Sequence, residues 1–98
     1  MKSFLSIVFL LCLALPAAAE VPIYGYQIVA RYPHNIASFT QGLEFHDGFL
    51  YEGTGRNGRS TLSKINLEDG KILQSKRLAS RYFGEGITIV GERIFQLT

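Results

Sequence analysis

Residues 39–54, FTQGLEFHDGFLYEGT, recur as residues 83–98, FGEGITIVGERIFQLT. Aligned, Phe39 falls on Phe83, Gly42 on Gly86, Leu43 on Ile87, Leu50 on Ile94, Tyr51 on Phe95 and Thr54 on Thr98. A repeat with a period in the forties, built from short alternating apolar runs, marks a β-propeller blade rather than a helical repeat. Past residue 19 no stretch carries helical periodicity over the length a helix needs, so the chain reads as all-β. Equivalent positions on neighbouring blades face a common axis. Gln41 and Glu85 align, and are expected to look into one shared pocket.

The turns divide the chain into strands. Asp-Gly and Asn-Gly pairs tolerate positive φ and are strong hairpin signals between apolar alternations. They predict one full four-stranded blade, with strands at 42–46, 49–53, 60–67 and 71–77, turns at Asp47-Gly48 and Asp69-Gly70, and a loop centred on residues 56–59. Residues 78–83 cross to a second blade, whose first hairpin, 86–97, turns at Gly91-Glu92. Ahead of the repeat, residues 23–32 are rich in Tyr, Ile and Val and read as an N-terminal strand stopped by Pro33. Propellers close with at least four blades, so 79 residues after the leader predict an incomplete ring whose strand edges would seek partners.

The leader is residues 1–19. Lys2 gives a basic start, residues 4–15 are apolar, and Pro16-Ala17-Ala18-Ala19 ends in an Ala-x-Ala cleavage pattern, which together predict a signal peptide and a secreted or periplasmic product. The apolar run is too short to span a bilayer. Cys12, the only cysteine, lies inside it behind bulky Leu11, a poor lipid-acceptor context, so residues 20–98 must be held together by packing, without disulfides or thiolate metal sites. With 10 Lys and Arg against 8 Asp and Glu, and the cations spread through turns, the charge gives no reason to expect nucleic acid.

Few motifs carry chemistry. Residues 53–58 match GxGxxG, but a strand rather than a helix is expected to follow, so turn geometry explains the glycines better than a dinucleotide does. His34 and His46 lack partners at metal-ligand spacing and are expected to be structural or solvated. Glu85 stands apart. It lies between Gly84 and Gly86 at the start of an innermost strand, with Phe83 two residues before it. A carboxylate pressed against phenyl rings is desolvated, which suits a proton shuttle near neutral pH. Gln41, with Phe39 as apolar neighbour, supplies an uncharged donor and acceptor at the matching position. The plainer alternative is that each pair merely plugs the channel.

Tyr32-Pro33-His34, Phe39-Thr40-Gln41-Gly42-Leu43, Tyr51-Glu52-Gly53-Thr54-Gly55, Tyr82-Phe83-Gly84-Glu85-Gly86-Ile87-Thr88 and Gln96-Leu97-Thr98, in this order and spacing, resemble the plant and bacterial type of glutaminyl-peptide cyclotransferase, or glutamine cyclotransferase. The resemblance runs from about Tyr24 to Thr98. It implies a five-bladed propeller that converts the N-terminal glutamine of peptides and proteins to pyroglutamate with release of ammonia. It also implies a monomer when complete, with no membrane attachment after signal cleavage. No catalytic zinc is implied, the zinc-dependent animal enzymes being unrelated in fold; a structural calcium in the channel of a complete propeller stays open. Carried over by motif, Glu85 is the catalytic carboxylate, Gln41 contacts substrate, and Phe39 and Phe83 line the pocket. Gly53 departs from the serine frequent in the family at that place. The family pocket also draws tryptophans, an asparagine and a lysine from later blades, and this chain has no tryptophan. The 98-residue chain alone is therefore expected to be inactive. Two other functions compete: a non-catalytic extracytoplasmic propeller that binds peptide ends or sugars, and an inactive truncated fragment.

Overall fold

Alternation and two-residue turns settle the architecture. A computed structural model describes residues 19–98; the signal peptide expected over 1–19 lies, all but its last residue, outside them. Six strands form: β1 (Thr40–His46), β2 (Phe49–Thr54), β3 (Thr61–Ile65), β4 (Ile72–Arg77), β5 (Ile87–Val90) and β6 (Arg93–Gln96). The first four make one antiparallel sheet in the order β1-β2-β3-β4, and the last two make a hairpin, so the all-β expectation holds. A four-stranded meander followed by the first hairpin of the next unit fits a propeller blade and the opening of its neighbour.

Each tight turn follows from its residues. At the β1-β2 hairpin, which pairs His46 with Phe49, Asp47 (φ 46°) and Gly48 (φ 83°) both take the left-handed conformation of a type I′ turn. At the β5-β6 hairpin Gly91 alone does so (φ 61°), as a type II′ turn demands of its first central residue. The β3-β4 connection is longer than expected. Asn66 accepts the Glu68 N–H on its side chain, and its carbonyl accepts the Gly70 N–H, so the backbone bonds to itself locally. This ends β3 at Ile65 rather than Leu67.

The N-terminal strand expected over residues 23–32 does not form. These residues are extended and unpaired, with Ile23, Tyr26 and Val29 more than nine-tenths exposed. Strand propensity is a preference for a half-buried pleated surface. Among the described residues no sheet edge takes up the backbone hydrogen bonds of this segment. Only past Tyr32 does the chain settle onto the sheet, where the Pro33 carbonyl comes so close to Gly70 that a Cβ there would meet it at 2.7 Å.

The buried centre is small and largely polar. Ile65 is the one buried apolar residue among the described ones, beside Glu52, Thr54, Ser60 and Ser63. On one face of the sheet, hydroxyls pair across strands, Thr54 with Thr61 at 2.8 Å and Ser63 with Ser75 at 2.9 Å. On the same face Leu43 and Phe45 stay more than half exposed. The other face receives β5. Gly42 lies so close to it that a Cβ would stand 2.6 Å from the Ile87 backbone nitrogen, and a Cβ at Gly53 would stand 3.0 Å from Ile87 Cγ2. Glu44 reaches across to accept the Ile89 N–H at 3.0 Å, which satisfies a donor on the side of β5 turned away from β6.

Candidate functional site

The two copies of the repeat meet at their first residues. Between Thr40, paired with Thr54, and Gly42, paired with Gly53, the register of β1 on β2 slips, leaving Gln41 as the extra residue of a β-bulge. Bulges re-aim side chains. Leu43 stands opposite Glu52, and Thr40 also reaches Glu52, although residues three apart on a regular strand point to opposite faces. The bulge absorbs that mismatch and releases Gln41 from the alternation. Its side chain packs beside Gly55, where a Cβ would lie 3.0 Å from Gln41 Cγ and would collide with the Phe83 ring. Gly55 is thus the floor that lets Gln41 and Phe83 approach, and its N–H donates to the Phe39 carbonyl at 2.9 Å.

Phe39 and Phe83 complete the cluster. Their ring centroids are 6.2 Å apart at an interplanar angle of 89°, an edge-to-face pair. The Arg56 guanidinium covers Phe39, 4.6 Å from the ring centroid. Glu85 follows Phe83 by two residues. Its N–H donates to the Leu97 carbonyl at 2.8 Å and its own carbonyl lies close to Gly53, so its backbone is fixed between the repeats. The side chain is exposed. Among the described residues Glu85 is therefore not buried against Phe83 as expected. Sequence reasoning named Phe39, Gln41, Phe83 and Glu85; the structure gathers the first three in direct packing and anchors the fourth beside them.

Other polar residues went unnoticed. Glu52 is 3% exposed, and its Oε2 accepts from Thr40 Oγ1 and from the His34 ring, both at 2.6 Å. His34 is thereby structural, as expected, and ties the N-terminal segment to the sheet. His46 stands 3.2 Å from exposed Asp47 at the hairpin tip. Alternation would have found Glu52, since Leu50, Glu52 and Thr54 share one face of β2. Ser60, 1% exposed, is a lone loop serine with no such signal. A polar cleft of about 350 Å³ opens between Phe39, Glu52, Arg56, Arg59 and Ser75, but Gln41, Phe83 and Glu85 do not line it. The chemistry read from the repeat does not depend on that cleft. The GxGxxG stretch leads into β3, not a helix, and Gly58 (φ 72°) serves the turn.

Comparison with known proteins identifies the family. The family model described as glutamine cyclotransferase matches residues 4–98. A glutaminyl-peptide cyclotransferase of Arabidopsis thaliana is 42% identical over 72 residues, covering 72% of this chain and 22% of the relative. The chain thus spans about a fifth of the length of the curated relative it matches. With the match running nearly end to end, the chain belongs to the glutamine cyclotransferase family.

Proposed function

We propose that this chain is the N-terminal part of a secreted, five-bladed propeller that cyclises N-terminal glutamine of peptides and proteins to pyroglutamate. The observation that carries the reading is the convergence of Gln41, Phe39 and Phe83 on Gly55, with the Glu85 backbone pinned alongside. Family membership and the similar Arabidopsis protein support the same activity.

The reaction needs little beyond positioning and proton transfer. Glu85 takes a proton from the substrate's α-ammonium, and the freed amine attacks its own γ-carboxamide carbon. A C–N bond forms and the carbonyl oxygen becomes an oxyanion. Glu85 returns the proton to the amide nitrogen, the old C–N bond breaks to release ammonia, and the ring nitrogen passes its second proton to that ammonia, which leaves as ammonium from a neutral lactam. Such general acid-base transfer contributes about 10² to 10⁴-fold. Folding the glutamine side chain over its amine adds an entropic gain, and Phe39 and Phe83 are suited to hold its methylenes. Gln41 offers the substrate an amide donor and acceptor.

The test is mass spectrometry of a Gln-initiated peptide incubated with the full-length protein. Loss of the mass of ammonia, faster than in buffer, is expected. A protein that binds the peptide without changing its mass would instead be a non-catalytic binder.

A further inference from the structure

The serine missed in the sequence sits where it can govern the loop that carries Glu85. Ser60 is 1% exposed, and its hydroxyl uses both capacities: Oγ–H donates to the Arg56 carbonyl at 2.8 Å, and Oγ accepts the Gly84 N–H at 2.9 Å. One partner, Gly84, lies in the second copy of the repeat, and the other, Arg56, lies in the loop just after the first. Gly84 immediately precedes Glu85, whose own N–H is held by the Leu97 carbonyl at 2.8 Å. Two successive N–H groups of the loop are therefore anchored, one to Ser60 in the loop after β2 and one to Leu97 just past β6. That fixes the peptide plane from which the Glu85 side chain departs.

The surroundings leave the loop no slack. A Cβ at Gly84 would stand 2.5 Å from the Thr54 carbonyl oxygen and 3.3 Å from Ser60 Cβ. On the other side, Arg56 holds φ 84°, a left-handed conformation uncommon for a residue with a side chain, and its carbonyl accepts from both Ser60 Oγ and the Arg59 N–H. Sparsely populated backbone of this kind persists only where neighbours over-determine it. Here it aims the Arg56 carbonyl at Ser60, while the same residue's guanidinium lies over Phe39. A serine used merely for solubility would face water.

We propose that Ser60 is a positioning residue for Glu85, holding the loop before it in register with the Phe39–Phe83 wall. This rests on the cyclisation reading above. Ser60→Ala removes the hydroxyl and leaves the buried Gly84 N–H unpaired, while the Arg56 carbonyl keeps only the Arg59 N–H, so the loop must shift to find another acceptor.

The experiment compares the parent, Ser60→Ala, Ser60→Cys and Glu85→Gln in the full-length protein, with rates normalised to the folded fraction from circular dichroism. For Ser60→Ala, kcat is expected to fall about 10²-fold, the order a misplacement near 1 Å can cost, with KM little changed because the aromatic walls remain. Gly84 amide exchange should speed up in parallel. Ser60→Cys keeps the volume with a weaker donor and acceptor, should fall between, and decides the matter if the alanine variant does not fold. If Ser60→Ala keeps kcat within about twofold while Glu85→Gln abolishes turnover, Ser60 is only structural and the proposal fails alone. Glu85→Gln at the parental rate would sink the Glu85 assignment, and the Ser60 proposal with it.

Discussion

The two copies of the repeat share a strand register and differ in surroundings. Gly42 and Gly86 are equivalent, yet a Cβ at Gly42 would strike the Ile87 backbone while one at Gly86 would meet nothing within 4 Å among the described residues. Glu52 and Gln96 are equivalent, yet Glu52 has two partners for its carboxylate whereas Gln96 Nε2 is buried with none among the described residues. Thr54 is buried and Thr98 exposed. Local sequence writes the hairpin, and the neighbouring unit then decides what each position costs or contributes. The first copy has its neighbour in β5 and β6, while the described residues supply no such neighbour for the second.

Substitutions at matched positions can break that comparison. The largest effect belongs to the pair that differs in chemistry: Glu85→Gln, which makes both copies carry glutamine, should lower kcat about 10² to 10⁴-fold with an unchanged circular dichroism spectrum. Next comes the pair that differs in room. In this chain Gly42→Ala should cost about 1–3 kcal/mol in urea unfolding, since backbone rather than a flexible side chain blocks the new methyl, whereas Gly86→Ala should stay within about 0.5 kcal/mol. A similar loss at both would show that the copies are equally confined. Glu52→Ala should cost about 1–3 kcal/mol by leaving Thr40 and His34 without their acceptor. Its counterpart Gln96→Leu should be near neutral or stabilising in the same unfolding measurement, because it removes an orphaned amide.

The strands within the repeat were legible because Asp47-Gly48 and Gly91-Glu92 act locally: a residue that tolerates positive φ makes the turn whatever surrounds it. The approach of Phe39, Gln41 and Phe83 to one another was legible from the offset between copies. Residues 23–32 were misread for the opposite reason. Their Tyr, Ile and Val satisfy a strand pattern, but a strand also needs an edge, and no pattern within the segment says whether one is present. The exposure of Glu85 was missed likewise, because desolvation depends on every wall of a pocket and Phe83 is only one of them. Ser60 could not have been singled out, since its role comes from an N–H 24 positions away. Arg56 holds a conformation the sequence would sooner have given to Asn57.

The glycine contact between β1 and β5 bears on how such a site can diversify. At Gly42 the closest approach between the copies is main chain against main chain, with the Ile87 side chain beside it. The separation of the copies beside the candidate site is thus set by backbone, whatever side chains stand at positions 41 and 85. Exchanges at Gln41 or Glu85 can alter charge and proton affinity there while the width holds, so a lineage could explore new chemistry at these positions without first having to rebuild the frame.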